Sequence, residues 1–416
     1  MINNKIRLLK FKIMKAKIVL TIALAFAFLS VGSVALGEYS PVYVSQWGTL
    51  GSSDGQLNNP TQVEADSFGS IYVGDAYNHR IQKFNLNGDF LLKWGSYHYS
   101  YTTGTFDKIS GIGIDSQNNL YISDAGDARP RGQSFDNNGN FLNVFGNKER
   151  GLEEGKFAGR LADVSVDSNG NIYFLDRTQG REIGNYGVHI FSKDGNFLNR
   201  WGGFGEEELN TPYANTEIRN PKSIAIDSNN NVFVLDGNNL IKVFNKEGDL
   251  ISFWGEGLFN RPVRLSIDKN DNVYVVDILR NNIQVFTNDG QHLLTFGSTG
   301  SGNGQFIYPT DIAFYDNNLL VADSGNNRIQ KFSICIQDEW TCTEWSSCKK
   351  GVQARTCSKS FDCPLIETPK PIESEFCKPI CSKIDLILEH RMDRPQFDHW
   401  SGLNGLLNAC SKSKQD

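Results

Sequence analysis

Six aspartates are the residues of this chain whose recurrence first suggests chemistry. Asp75, Asp124, Asp176, Asp236, Asp277 and Asp323 follow one another at intervals of 49, 52, 60, 41 and 46 residues. Carboxylates brought together can divide acid and base work or hold a hard cation. Each of these, however, closes a short β-branched or aromatic run, and two are followed by Asn78-His79-Arg80 and Asn326-Asn327-Arg328. A carboxylate so placed is expected to accept backbone N–H bonds and to pair with Arg80 or Arg328, locking a loop rather than catalysing. The segments DSNGN at Asp167, DSNNN at Asp227 and DKNDN at Asp268 have the opening of a calcium loop. They lack its distant bidentate glutamate, and a tight turn accounts for their Asn and Gly. Nucleophilic serine chemistry has no support from a Gly-x-Ser-x-Gly turn set between a strand and a helix. Neither a metal site nor a cofactor is expected.

The elements that must position these residues are short strands. Gly69 to Gly95 reads as three strands, Ile71 to Gly74, Arg80 to Phe84 and Asp89 to Trp94, with Asn87-Gly88 as the hairpin between the last two. Thr61 to Asp66 supplies a fourth, and the unit recurs. The hairpin glycine returns as Gly139, Gly195, Gly248 and Gly290. The strand end returns as Trp47-Gly48, Trp94-Gly95, Phe145-Gly146, Trp201-Gly202, Trp254-Gly255 and Phe296-Gly297. A lone meander cannot bury its apolar face, whereas blades stacked radially can, so six copies predict an all-β, six-bladed β-propeller. The sixth copy stops at Arg328 to Ile334 without an outer strand, and the chain opens with an orphan, Tyr43 to Trp47. The orphan is expected to fill that vacancy and close the ring.

The pattern Pro-x-x, apolar alternation, Asp-x-x-Gly, Ile-Tyr-Val-x-Asp, then Asn-x-Arg-Ile-Gln-Lys-Phe and Trp-Gly resembles the NHL repeat, whose family forms six-bladed propellers. The match is strongest over Pro60 to Gly95 and Pro309 to Phe332 and covers about Pro41 to Ile334. NHL-type propellers include binding proteins, scaffolds and a few enzymes, so the resemblance implies a fold before a function. A lyase of this class would need several histidines around the central channel. His79, His98, His189 and His292 are the histidines of the repeats, and the register puts none of them on an innermost strand.

Function is therefore expected where the connections vary in length. The a–b and c–d turns are uniformly short, while Ser96 to Phe106, Ala125 to Gln133, Arg177 to Gly187 and Gly203 to Asn220 are long and emerge on one face. They bring Tyr97, Tyr99 and Tyr101 beside Arg129, Arg131, Arg177 and Arg181, residue types that dominate interfaces. These seven are the candidate ligand-binding residues, for a partner with anionic or carboxylate groups. The reading is a secreted or cell-surface module recognising a protein, peptide or glycan; the alternative is a propeller hydrolase or lyase acting on small or secreted substrates.

The termini fix the expected compartment. Met1 to Lys17 carries six Lys or Arg and no acid, and Ile18 to Gly37 is an apolar run ending in small residues. Residues 1–37 are thus expected to be a signal peptide, cut before Glu38 or kept as an anchor that would be the chain's one link to a membrane. The chain's net charge is −6, and loss of that basic segment would take it to about −12, which argues against a nucleic-acid partner. The propeller, residues 38–334, has no cysteine. All eight, Cys335, Cys342, Cys348, Cys357, Cys363, Cys377, Cys381 and Cys410, lie beyond it and read as disulfides of an oxidising compartment. In residues 335–381, EWTCTEWSSCKKGVQARTC, Glu339 to Cys357, resembles a thrombospondin type 1 module, in which Trp and Arg side chains stack between disulfides. It departs from that family in the spacing of Trp340 and Trp345 and in lacking the second Cys-Ser-x-x-Cys. Arg355 over Trp340 or Trp345 is the expected stack, and Cys357 with Cys363 the expected local bridge. Residues 382–416 form a tail with helical spacing at Ile384 to Met392.

Overall fold

The computed structural model describes residues 41–97, 102–126, 130–146, 151, 153–157, 159–177, 187–202, 218–334, 339–347, 352–361 and 370–376. The apolar run at residues 18–37 and the tail beyond Cys381 lie outside them. Among the described residues no helix is long and apolar enough to cross a membrane. The chain divides into two compact units, Met1–Ile334 and Cys335–Asp416.

The first unit is an all-β propeller of six four-stranded antiparallel sheets. Blade one runs from the inner strand Pro60–Ala65 through Ile71–Asp75 and Arg80–Phe84 to the outer strand Phe90–Trp94. The inner strands of blades two to six are Ile109–Ile114, Arg160–Val166, Ser223–Ile226, Pro262–Ile267 and Pro309–Tyr315. In blade six the outer strand is Val42–Trp47, paired antiparallel with Arg328–Ser333, so both ends of the propeller meet in one sheet as the orphan strand predicts. Tyr43 packs edge-on against Phe332, and Arg328 Nη1 donates to Gln46 Oε1 at 2.6 Å across the seam.

The core lies between blades rather than within them. Tyr72 and Ile81 of blade one, for example, join Phe106, Ile109, Ile112, Leu120, Ile122 and Phe135 of blade two in one buried cluster. The two repeated sequence signals prove to be halves of one contact. The hairpin glycines have φ near +90°, as at Gly88 (+89°) and Gly248 (+95°), a region L side chains avoid. A Cβ there would also stand 2.7 Å from the Trp47 ring or 2.4 Å from Trp201. Each of these tryptophans ends an outer strand and packs against the hairpin of the next blade.

The second unit contains two small antiparallel pairs, Glu339–Cys342 with Cys357–Phe361 and Val352–Ala354 with Ser374–Phe376. Cys342 is opposite Cys357 in the ladder and the two are disulfide-bonded. This corrects the expected Cys357–Cys363 bridge: strand register puts Cys342 beside Cys357. The guanidinium of Arg355 lies 4.5 Å from the Trp345 ring.

Candidate functional site

The six aspartates act through the loops they hold. Asp75 Oδ1 accepts from Asn58 N at 2.7 Å, while its Oδ2 takes Arg80 Nε at 2.7 Å and Gln82 Nε2 at 3.0 Å. Asp323 repeats this with Ile307 N, Arg328 and Gln330. Asp124 takes the backbone N–H of Asp107 and Lys108, Asp277 those of Asn260 and Arg261, and Asp176 that of Gly159. These five buried carboxylates therefore fix the segment that leads into their own blade's inner strand, whereas Asp236 Oδ1 accepts from Asn238 N and Leu240 N in the loop that follows it. The calcium-like segments are Asx turns: Asp167 Oδ1 accepts from Asn169 N and Asn171 N, and Asp227 and Asp268 do the same. Among the described residues no group of His, Cys, Asp or Glu is arranged to hold a metal.

The inner strands bring one residue per blade to the same level of the central channel. Gln62, Gly111, Asp163, Ser223, Arg264 and Asp311 all pair with the residue just before a second-strand aspartate or its equivalent. Arg264 spans this ring. Its Nη1 meets Asp163, Nε lies 3.1 Å from Asp311 Oδ1, and Nη2 donates to Gln62 and, at 3.0 Å, to Ser110 O. Asp163 Oδ2 also accepts from Ser223 Oγ at 2.8 Å. Gly111 is small by necessity, since a Cβ there would come 2.4 Å from Asp163 Oδ1. Burial works against the charge on Arg264, but Asp163 and Asp311 outweigh it and raise its pKa. Burial pushes Asp311 up to about 7 although Arg264 pulls the other way. Glu64, two residues beyond the ring, is pushed up to about 8 by burial, with the charges of Asp311 and Asp163 adding to it against the bond from Ala65 N–H.

Two cavities touch Arg264. The smaller, about 330 Å³, is lined by Glu64, Gly113, Ser165, Ala225 and Ser266 on the side of the short a–b turns. The larger, about 880 Å³, opens among the long connections. Lys108, Arg160, Arg177, Lys222 and Arg261 line it, with Asp107 as the one carboxylate among its described lining residues. Arg160 begins an inner strand, Arg177 ends a second strand, and Lys108, Lys222 and Arg261 each directly precede an inner strand. Burial lowers the pKa of Lys222; the charges of Asp236 and Asp277 oppose this, and those of Arg261 and Arg177 add to it. Burial likewise lowers that of Arg177, with Arg160 adding to it. Arg160, Arg177, Lys222 and Arg261 thus lie near enough to feel one another's charge. Tyr77 and His79 line the same cavity, and the Tyr97 ring lies 4.8 Å from the His79 ring, tilted by 50° to it.

Of the seven residues expected from sequence, Arg177 lies in this cavity and Tyr97 at its edge. Arg131 requires a correction. It is 4 % exposed, its Nε lies 3.3 Å from Asp124 Oδ2, and its Nη2 donates to Thr105 O at 2.9 Å, so it belongs to the blade lock. Tyr99, Tyr101, Arg129 and Arg181 fall outside the described residues. Sequence reasoning missed Lys108, Arg160, Lys222 and Arg261. A signal was present for three: Lys108, Arg160 and Arg261 each stand three residues ahead of a ring residue, which appears once the repeats are superposed. His189 and His292 sit on third and outer strands, away from the channel.

Residues 256–344 match the model of a six-bladed beta-propeller family, and residues 57–84 match the NHL repeat. No curated protein matches the chain. Among solved structures it is similar to the gluconolactonase XC5397 from Xanthomonas campestris, at 16 % identity over 71 % of this chain and 95 % of that one, with a TM-score of 0.49. It is also similar to virginiamycin B lyase from Staphylococcus aureus, at 15 % identity over 70 % and 99 % of the two chains, TM-score 0.46. A streptogramin B lyase gives 14 % identity over 72 % and 99 %, TM-score 0.48. These are likenesses of fold. The chain is a six-bladed β-propeller with NHL repeat character, joined to a unit that carries a disulfide.

Proposed function

We propose that the propeller is a binding module that takes an anionic ligand, borne on a protein, peptide or glycan, at the channel mouth among its long connections. One observation carries this reading. Besides Arg264, five cations from four successive blades line one cavity that holds a single described carboxylate, and the aspartate locks fix the backbones of two of them, Lys108 and Arg261. Preorganised charges that repel one another in the free protein gain most when an anion arrives. The disulfide Cys342–Cys357 supports an oxidising, extracellular setting, and the Arg355–Trp345 stack supports reading the second unit as thrombospondin type 1-like.

The test is capture of the full chain on immobilised acidic peptides, acidic glycans and their neutral counterparts. Acidic surfaces alone should retain it, and Lys222→Ala with Arg261→Ala should release it at an unchanged melting temperature. Equal capture on neutral surfaces, or capture indifferent to the double substitution, would remove the site from this cavity.

A catalytic reading rests on Glu64. A carboxyl pushed up to about 8 and facing a chamber of about 330 Å³ keeps a proton to donate near neutral pH, as an acid catalyst must. Turnover from a panel of small esters and glycosides, lost on Glu64→Gln, would support it; no turnover from the wild type would dismiss it.

A further inference from the structure

The cationic arc is only part of the mouth. Lys108, Arg160, Arg177, Lys222 and Arg261 come from blades two to five, and the remaining sector, on blades one and six, has a different chemistry. There Tyr77 is 68 % exposed and Tyr97, in tilted contact with His79, is 49 % exposed. Asn59, Thr61 and Thr310, neutral donors and acceptors, line the same sector. Resting on the reading above, we infer that the anionic ligand is an acidic glycan segment whose successive sugar rings carry carboxylates, as uronates do.

Three features select that chemistry. First, a cavity of about 880 Å³ is far larger than one anion needs and accommodates several linked rings. Second, the cations are distributed one or two to a blade instead of being clustered, which suits charges repeated along a stiff polymer. The Nε of Arg177 is buried and has no hydrogen-bond partner among the described residues, an unmet donor on that arc. Third, exposed aromatic faces beside hydroxyl and amide side chains match a ligand with apolar C–H faces and many hydroxyls. An acidic peptide offers the charges without those faces. Single-stranded nucleic acid offers both charges and faces, but a chain of net charge −6 with a disulfide-bonded unit is a poor candidate to meet it.

The experiment titrates the full chain with oligogalacturonate, a sulfated oligosaccharide, a neutral oligosaccharide, oligoglutamate and oligouridylate, in low and high salt. Variants are Tyr77→Ala, Lys222→Ala with Arg261→Ala, and Lys193→Ala, on a c–d turn of the opposite face, as control. Oligogalacturonate should bind, weaken about tenfold with the double substitution, and weaken further as salt screens the arc. Tyr77→Ala should cost it about fivefold and leave any oligoglutamate binding untouched. Sulfated sugar binding at least as tightly as the uronate, with the same Tyr77 dependence, would assign the site to sulfate esters and overturn the uronate assignment. Binding of oligoglutamate or oligouridylate in preference to both sugars would overturn the glycan inference while leaving an anion site in place. Binding of none of the anions would overturn both that inference and the functional reading beneath it.

Discussion

Replacing Glu64 by glutamine should make the propeller more stable near and above neutral pH and leave it nearly unchanged below about pH 4. In the folded chain burial pushes this carboxyl up to about 8, against an ordinary value of 4.5 that the unfolded chain recovers. Between those values the folded state holds a proton the unfolded state has lost. Stability contributed by protonated Glu64 is therefore full below about 4.5 and falls as pH rises toward 8. From pH 5.5 to 7.5 that loss is about 2.5 kcal/mol. Asp311, pushed up to about 7 from 3.8, adds a loss of the same sign of about 2 kcal/mol over the same interval. Wild type should thus lose about twice as much stability as Glu64→Gln between the two pH values. The glutamine keeps an oxygen to accept the Ala65 N–H and has no proton to lose. Urea unfolding of both chains at pH 5.5, 6.5 and 7.5 measures the difference directly. Parallel stability curves for the two would refute the claim that this carboxyl is held protonated in the channel.

Two further outcomes follow from the blade contacts. Deleting Val42–Trp47 strips the partner from Arg328–Ser333 and removes Trp47 from the Gly88 hairpin, so size-exclusion chromatography should show aggregation where the parent elutes as a single species. Gly248→Ala combines a φ of +95° with a Cβ 2.4 Å from the Trp201 ring, and thermal unfolding should show a loss of about 2 to 4 kcal/mol, whereas Gly257→Ala, at φ +72° with open space around it, should lose about 1 kcal/mol.

The fold was legible because its signals are local and repeated. Asn87-Gly88, Ile-Tyr-Val-x-Asp and Trp94-Gly95 each declare a strand, a turn or an end, and repetition turned them into blades. The mouth was not legible in the same way. Lys108, Arg160, Lys222 and Arg261 are single residues separated by tens of positions, and only ring closure gathers them. Arg131 misled because Asp124-Ala-Gly-Asp-Ala-Arg-Pro precedes it where a shorter run ending in Asn-x precedes Arg80 and Arg328, so its shared place was hidden. The ladder shows the equivalence, since Asp124 pairs with Arg131 as Asp75 does with Arg80 and Asp323 with Arg328. The Cys357 partner was missed for a related reason: strand pairing across a gap of 15 residues, not nearness in sequence, sets the bridge.

Arg264 reaches from the fifth blade to groups on the first, second, third and sixth. One side chain so engaged works as a hub whose length is matched to one wheel diameter. Propellers as a class diversify by gaining or losing a blade, and each added blade widens the central opening. In a seven-bladed descendant of this chain the guanidinium would no longer span to its partners, and three carboxyls would face an open bore with no counter-charge. Duplication of a repeat, tolerable at the level of each interface, is thereby penalised at the axle, which ties this sequence to six blades more firmly than its repeat spacing does.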